Sequence, residues 1–430
     1  MSLQDRSPDQ EPLNKRTGDN LTSRKTRMGA LAMRKRSYAA AVLLLVFSLS
    51  LAACGKGNGG SAANESPSAP DGPAASGGAT ASGATDGPIT INQSLPEKEI
   101  LSKGPDGENA VSAKTLQLTE EELAKIKAGR YKAAISMHYA GNDWSAAQLK
   151  GLKDTFAKMN IEIVATTDAN FKAEKQVSDI ETILAKKPDI LVSIPVDAVS
   201  TAGVFKKAAS QGVKIVFMDN KAAGLTAGKD YVSVVSADNY GNGVEAAHIL
   251  AKAIGEEGEV GVIFHDADFF VTKQRTEAFE KTIRDEYPNI NIIARGGITG
   301  PNDGEKVASA MLTKHPNLKG MFVVWDVPAE GALAAARSAG RTDLAIATID
   351  LGTNVALDIA KGGMIKGLGA QLPYDQGVAE AILAAYSLLG KEAPAYAAVP
   401  SLQVNRDNIL ESWETVYHAE PPAPLRDAAK

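Results

Sequence analysis

The chain has 430 residues, 44% of them hydrophobic and 23% charged, with a formal net charge of -5 and a single cysteine. That length is enough for more than one lobe of ordinary domain size, and one cysteine excludes an intramolecular disulfide. The basic excess lies in the first 54 residues. The remainder is therefore more acidic than the total, which argues against nucleic acid as a partner, because phosphate binding needs a basic face.

In chain order, the 32 residues before Met33 are polar and add nothing that an export signal needs, so Met33 or Met28 is the expected start. Arg34, Lys35 and Arg36 precede an apolar run over 39–51, interrupted only by Ser48 and Ser50. A basic n-region followed by an apolar h-region is the pattern of a cleaved export signal. The run is shorter than the ~20 apolar residues that span a bilayer. Leu51-Ala52-Ala53-Cys54-Gly55 then resembles the lipobox of bacterial lipoproteins. That resemblance implies acylation of Cys54 and anchoring on the outer face of the bacterial cytoplasmic membrane. From Gly55 to about Pro96 the chain is Gly, Ala, Ser, Pro and Asn with few large apolar residues. Such a composition cannot offset its ordering entropy, so 54–115 is expected to be a flexible linker.

Thr119 with Glu122 three residues on is a capping box that opens a short helix ending by Gly129. Beyond Arg130 short β-branched runs alternate with amphipathic segments. Strands are predicted near 132–138, 161–166, 189–194, 213–218 and 231–235, then near 259–264, 290–294, 320–324, 344–349 and 365–370, with helices between them. This alternation predicts an α/β fold with parallel sheets covered on both faces. Two series of five favour two doubly wound lobes, although a β/α barrel also alternates. A further amphipathic helix is predicted to run through Tyr417.

Ligands of open parallel sheets bind beyond the carboxyl ends of the strands. His138 and Tyr139, Asp219 and Asn220, His265 with Asp266 and Asp268, Trp325 with Asp326, and Asp350 all fall there. Any single aspartate among these reads more readily as a turn residue or cap. Their recurrence in both halves is what makes a cleft the better reading. Gly241-Asn242-Gly243-Val244-Glu245-Ala246 matches a dinucleotide fingerprint, but five residues separate it from the preceding strand, where a tight turn is required. No zinc-peptidase, serine-hydrolase or paired-cysteine motif occurs, and the five histidines lack paired metal-ligand spacing, so neither metal nor cofactor is expected.

Several segments in order carry a wider resemblance over 132–404: Asn142-Asp143-Trp144-Ser145, Val216-Phe217-Met218-Asp219, Ser236-Ala237-Asp238-Asn239, Gln274-Arg275-Thr276-Glu277-Ala278-Phe279, Trp325-Asp326, Ile349-Asp350 and Gly369-Ala370-Gln371-Leu372-Pro373. Together they resemble the ribose-type periplasmic sugar-binding proteins of ATP-binding-cassette importers. The resemblance implies a type I periplasmic binding protein fold, two lobes joined by a three-segment hinge. It divides the chain into an extension and signal peptide (1–53), the linker, a first lobe (130–236 plus 372–400) and a second (237–371 plus 401–430). It further implies Asn142, Trp144, Asp219, Asn220, Arg275, Trp325, Asp350 and Gln371 as ligand-binding residues. A monomeric, non-enzymatic receptor that passes a sugar or polyol to a membrane permease is the function it carries. A sensing subunit for a membrane signalling protein and a sugar-modifying enzyme are the alternatives. Ser145, Asn220 and Trp325 depart from the ribose pattern, which widens the expected ligand to other pentoses, hexoses, polyols or cyclic polyols.

Overall fold

The computed structural model describes residues 87–430; the export signal and Cys54 lie outside the described residues. The described chain begins with β1 (Ile89–Thr90), β2 (Val111–Ser112), β3 (Gln117–Leu118) and α1 (Glu120–Gly129). Next come β4 (Lys132–Met137), α2 (Asp143–Lys158), β5 (Glu162–Asp168), α3 (Ala173–Ala185), β6 (Ile190–Ser193), α4 (Ala202–Ser210), β7 (Lys214–Met218) and β8 (Ser233–Ala237). After them follow α5 (Asn239–Ala253), β9 (Gly258–His265), α6 (Phe270–Glu286), β10 (Ile290–Ile298), α7 (Gly304–Lys314), β11 (Gly320–Val323), α8 (Asp326–Ser338), β12 (Ala345–Ile349), α9 (Thr353–Ala360) and β13 (Ile365–Ala370). The chain ends with α10 (Pro373–Leu388), β14 (Tyr396–Val399), β15 (Leu402–Asn405), α11 (Ile409–Tyr417) and α12 (Ala423–Ala428).

All ten expected strands form, and they divide between two sheets. The first sheet has the order β2-β14-β8-β7-β6-β4-β5, parallel throughout. The second has the order β10-β9-β11-β12-β13-β15, parallel except for β15. Ile190-Leu191-Val192-Ser193 and Gly320-Met321-Phe322-Val323 are buried at every position, as strands covered by helices on both faces must be. The chain passes between the sheets three times, from β8 into α5, from β13 into α10 and from β14 into β15. The helix α5 packs on β11, β12, β13 and β15, and α10 packs on α2, β7, β8 and β14, so each crossing delivers its helix to the other lobe.

The expected capping box is present: Glu122 N–H donates to Thr119 Oγ1 at 3.2 Å and Thr119 N–H to Glu122 Oε2 at 2.9 Å. The apparent dinucleotide fingerprint has a packing role. A Cβ on Gly243 would stand 2.3 Å from the Arg275 carbonyl, so glycine is what lets α5 lie against α6.

The linker expected over 54–115 must be corrected at its far end. Residues 87–118 fold onto the body, with Ile89, Ile91 and Leu95 buried, β1 paired with β3 and β2 added to the edge of the first sheet. Few and scattered apolar residues hid this in the sequence, but Ile89, Ile91, Leu95, Leu116 and Leu118 find places in a core they do not themselves build. The strap touches both lobes and the first crossing. Leu101 N–H, Ser102 N–H and Ser102 Oγ–H all donate to the Asp238 carboxylate at 2.8–3.0 Å. Lys98 pairs with Glu245 on α5 at 2.8 Å, and Lys221 of the first lobe pairs with Asp106 at 2.6 Å. The C-terminal tail also spans the lobes: Tyr417 Oη–H donates to the Leu351 carbonyl, and His418 Nε2 lies 2.9 Å from buried Asp375 on α10.

Candidate functional site

Both sheets end their central strands in an aspartate with left-handed backbone: Asp219 after β7 at φ 54° and Asp350 after β12 at φ 72°. Each N–H donates to the neighbouring strand, Asp219 to Val235 O at 2.8 Å and Asp350 to Gly369 O at 3.2 Å. Aspartate is among the few residues that tolerate this conformation, and it turns both carboxylates off the strand ends.

A buried hydrogen-bond chain joins the two. Ser236 Oγ–H donates to Asp219 Oδ1 at 2.6 Å, and Asn239 Nδ2 donates to Ser236 Oγ at 2.9 Å. Arg275 Nε donates to Asn239 Oδ1 at 2.8 Å, while its Nη1 reaches Val324 O and Asp350 Oδ2, each at 3.4 Å. Gln371 Nε2 donates to Asp350 Oδ1 at 2.7 Å. The chain thus runs from one lobe to the other through residues of two hinge crossings.

Above this floor a cleft of about 580 Å³, its mouth included, is lined from both lobes. Seven of the eight expected residues line it: Asn142, Trp144, Asp219, Arg275, Trp325, Asp350 and Gln371. Asn220 is placed differently. Its Oδ1 accepts from Phe270 N–H at 3.0 Å, so its side chain is engaged with the other lobe, outside the lining. Asn142 also has a second duty, since its Oδ1 caps α2 by accepting from Ser145 N–H at 3.1 Å. His138, Phe171, His265 and Phe269 complete an aromatic wall. His138 stacks on Phe269 across the lobes at 5.7 Å, and His265 meets Trp325 edge-on at 5.2 Å. The strand-end positions of His138 and His265 were legible in the sequence. Phe171 was not, because a pair of left-handed residues, Asn170 and Phe171, aims it there.

Burial dominates the electrostatics. It pushes the Asp219 carboxyl up to about 6, against the pull of Ser236 and Arg275. It raises Asp350 as well, with Arg275 opposing, and lifts Asp326 well above the carboxylate range, helped by Asp350. Burial also lowers His138 to about 3 and His265 to about 4, so both rings are neutral at physiological pH.

Size does not single out this cleft, since an opening of about 1220 Å³ lies between the strap and α10. Unpartnered polar atoms do. Among the described residues, His138 Nδ1, Trp144 Nε1 and Gln371 Oε1 belong to the buried polar atoms without a hydrogen bond and all three residues line the interlobe cleft, whereas no residue lining the larger opening carries such an atom. Such groups are costly unless something satisfies them. With carboxylates that accept, a guanidinium that donates and rings that pack on apolar faces, the site suits a small molecule rich in hydroxyls.

The model of a periplasmic binding protein domain matches residues 133–393. The chain belongs to the periplasmic binding protein family. It is 31% identical over 202 residues to a D-ribose/D-allose-binding protein of Pseudomonas aeruginosa, a match covering 46% of this chain and 61% of that protein. It is 25% identical over 285 residues to the ribose import binding protein of Salmonella typhimurium, covering 66% and 93%. A solute-binding protein of Actinobacillus succinogenes solved with D-allose is 25% identical with a TM-score of 0.59, covering 65% of this chain and 99% of that one. The family match begins after the strap and ends just before β14. The relatives are binding proteins, and among the described residues no helix is long and apolar enough to cross a membrane.

Proposed function

We propose that this chain is an extracytoplasmic receptor that captures a sugar or polyol between its two lobes and delivers it to the permease of an ATP-binding-cassette importer. The observation that carries this reading is the cluster of buried, unpartnered polar atoms around the cleft, beside two carboxylates and Arg275. A polyhydroxylated ring supplies both donors and acceptors to such a cluster, and its C–H faces pack on Trp144, Phe269 and Trp325. Asn142, Trp144, Asp219, Arg275, Trp325, Asp350 and Gln371 are the proposed contacts. Binding requires no bond to be made or broken.

A thermal-shift screen of the full chain against D-ribose, D-allose, xylitol and myo-inositol tests the reading. A cognate ligand at a hundredfold excess over its Kd adds about 2.7 kcal/mol of apparent stability. Small-angle scattering of the same mixture should show a smaller radius of gyration as the lobes close. A panel that leaves the melting curve unmoved, hydroxyl-rich ligand by ligand, overturns the assignment.

Anchoring through Cys54 is part of the proposal and rests on the lipobox-like sequence. One acyl chain holds a membrane only marginally, so at least two are expected on this residue. Cys54→Ser should release the protein from the membrane fraction with ligand affinity unchanged. An unmodified Cys54 in the mass spectrum of membrane-extracted protein overturns it.

A further inference from the structure

Like α7 and α8 of the second lobe, α6 and α9 receive no side-chain cap from their own N-cap residue. The N-cap residue of α6 is Phe269 and that of α9 is Gly352, and neither offers a side-chain oxygen. The first N–H groups of a helix have no partner within it, and an oxygen at that end normally satisfies one of them. Here the oxygens come from the other lobe. Asn220, which follows β7, accepts from Phe270 N–H at 3.0 Å. Asp143, the first residue of α2, accepts from Thr353 N–H at 2.7 Å and from Thr353 Oγ1–H at 2.8 Å through the same Oδ2. The Asp143 carboxylate thus lies at the N-terminus of its own helix and at that of α9, where both dipoles favour negative charge. Glycine at 352 makes room for Asp326, whose Oδ2 would stand 2.4 Å from a Cβ there, while Asp143 Oδ2 at 3.8 Å would remain in ordinary contact.

We propose that Asp143 and Asn220 set ligand affinity without touching ligand, by capping α6 and α9 from the opposite lobe and so stabilising the closed arrangement. The inference rests on the reading of the cleft as a site that closes on its ligand. Neither residue lines the cleft, although Asn142, Trp144 and Asp219 beside them do. When the lobes part, each cap must be exchanged for water. The free energy of the caps therefore belongs to the closed state alone, and apparent affinity scales with the fraction of molecules that can reach it.

The test uses the full chain, with Asp143→Ala, Thr353→Pro and the double variant. Thr353→Pro removes both donors at the first helical position, where proline is well tolerated. Each single variant should speed dissociation of the tightest binder among D-ribose, D-allose, xylitol and myo-inositol roughly tenfold, equivalent to about 1.4 kcal/mol. The double variant should be no weaker than either single one, because both remove one interaction. Asp143→Asn keeps an acceptor and should restore most of the loss. Unchanged dissociation, or effects that add, overturns the proposal, as does a fall in melting temperature with no change in dissociation. If no compound of the panel binds, the functional reading fails separately. The caps are then tested by spin-label distances between the lobes in the ligand-free chain. The variants should lose the shorter population, and superimposable distributions overturn the cap assignment.

Discussion

Replacing Arg275 with methionine should abolish ligand binding and cost about 3–5 kcal/mol of fold stability, the range for removing one partner of a buried ion pair. The guanidinium is 4% exposed and is the one cation in the hydrogen-bond chain that links Asp219 to Asp350. Its loss leaves the Asn239 Oδ1 and Val324 O acceptors unpaired and removes the charge that opposes the burial of Asp350. Arg275→Lys keeps the charge but not the fork that reaches Asn239, Val324 and Asp350 together, so it should recover part of the stability and little of the binding. Chemical denaturation and calorimetry on the three proteins separate these effects. A methionine variant with the wild-type denaturation midpoint and wild-type affinity would mean that the chain through the hinge carries neither function.

Asp219→Asn should have opposite effects on fold and on ligand. Burial raises the folded-state pKa of Asp219 to about 6 from a reference of 3.8, so the folded protein holds this proton more tightly than the unfolded chain does. The contribution of the group to stability is therefore full below about pH 4 and declines as pH rises through 6. By pH 7 the ionised carboxylate costs about 3 kcal/mol, since each pKa unit is worth about 1.4 kcal/mol. Asparagine carries no such cost and can still accept from Ser236. The variant should match the wild type near pH 4 and exceed it increasingly up to pH 7, as read from denaturation midpoints across that range. Ligand binding should weaken by about 1–1.5 kcal/mol, because a charge-assisted hydrogen bond becomes a neutral one. Wild-type affinity should itself fall as pH drops below about 6 and Asp219 protonates. A stability difference that does not vary with pH would show that the carboxylate is not held at a cost in the fold.

Asp219 and Asp350 illustrate how far the site was legible. Their places at the ends of apolar strands in two repeated series mark them in the sequence, as they mark His138, His265 and Trp325. Phe171 carries no such mark, because a left-handed turn at Asn170 and Phe171 rather than a strand end delivers it. Asn220 was drawn to the cleft by its neighbour Asp219, yet its side chain leaves the cleft to reach α6. A neighbour in sequence shares a strand end with its partner without sharing a direction, and direction is set by the backbone of the turn.

The sequence by itself determined the alternation of strands and helices, the capping box at Thr119, and the two sets of strand-end residues. These depend on periodicities and local hydrogen bonds that span a few residues. Only the tertiary structure decided that 87–118 forms a strap rather than a tether, that Arg275 sits within a chain of side chains crossing the hinge, and that α6 and α9 take their caps from the other lobe. Asp238 and Ser102 stand 136 positions apart, and Asp143 and Thr353 stand 210 apart. At such separations no local pattern records the pairing, which arises when two independently patterned lobes are brought together by the core and the three crossings.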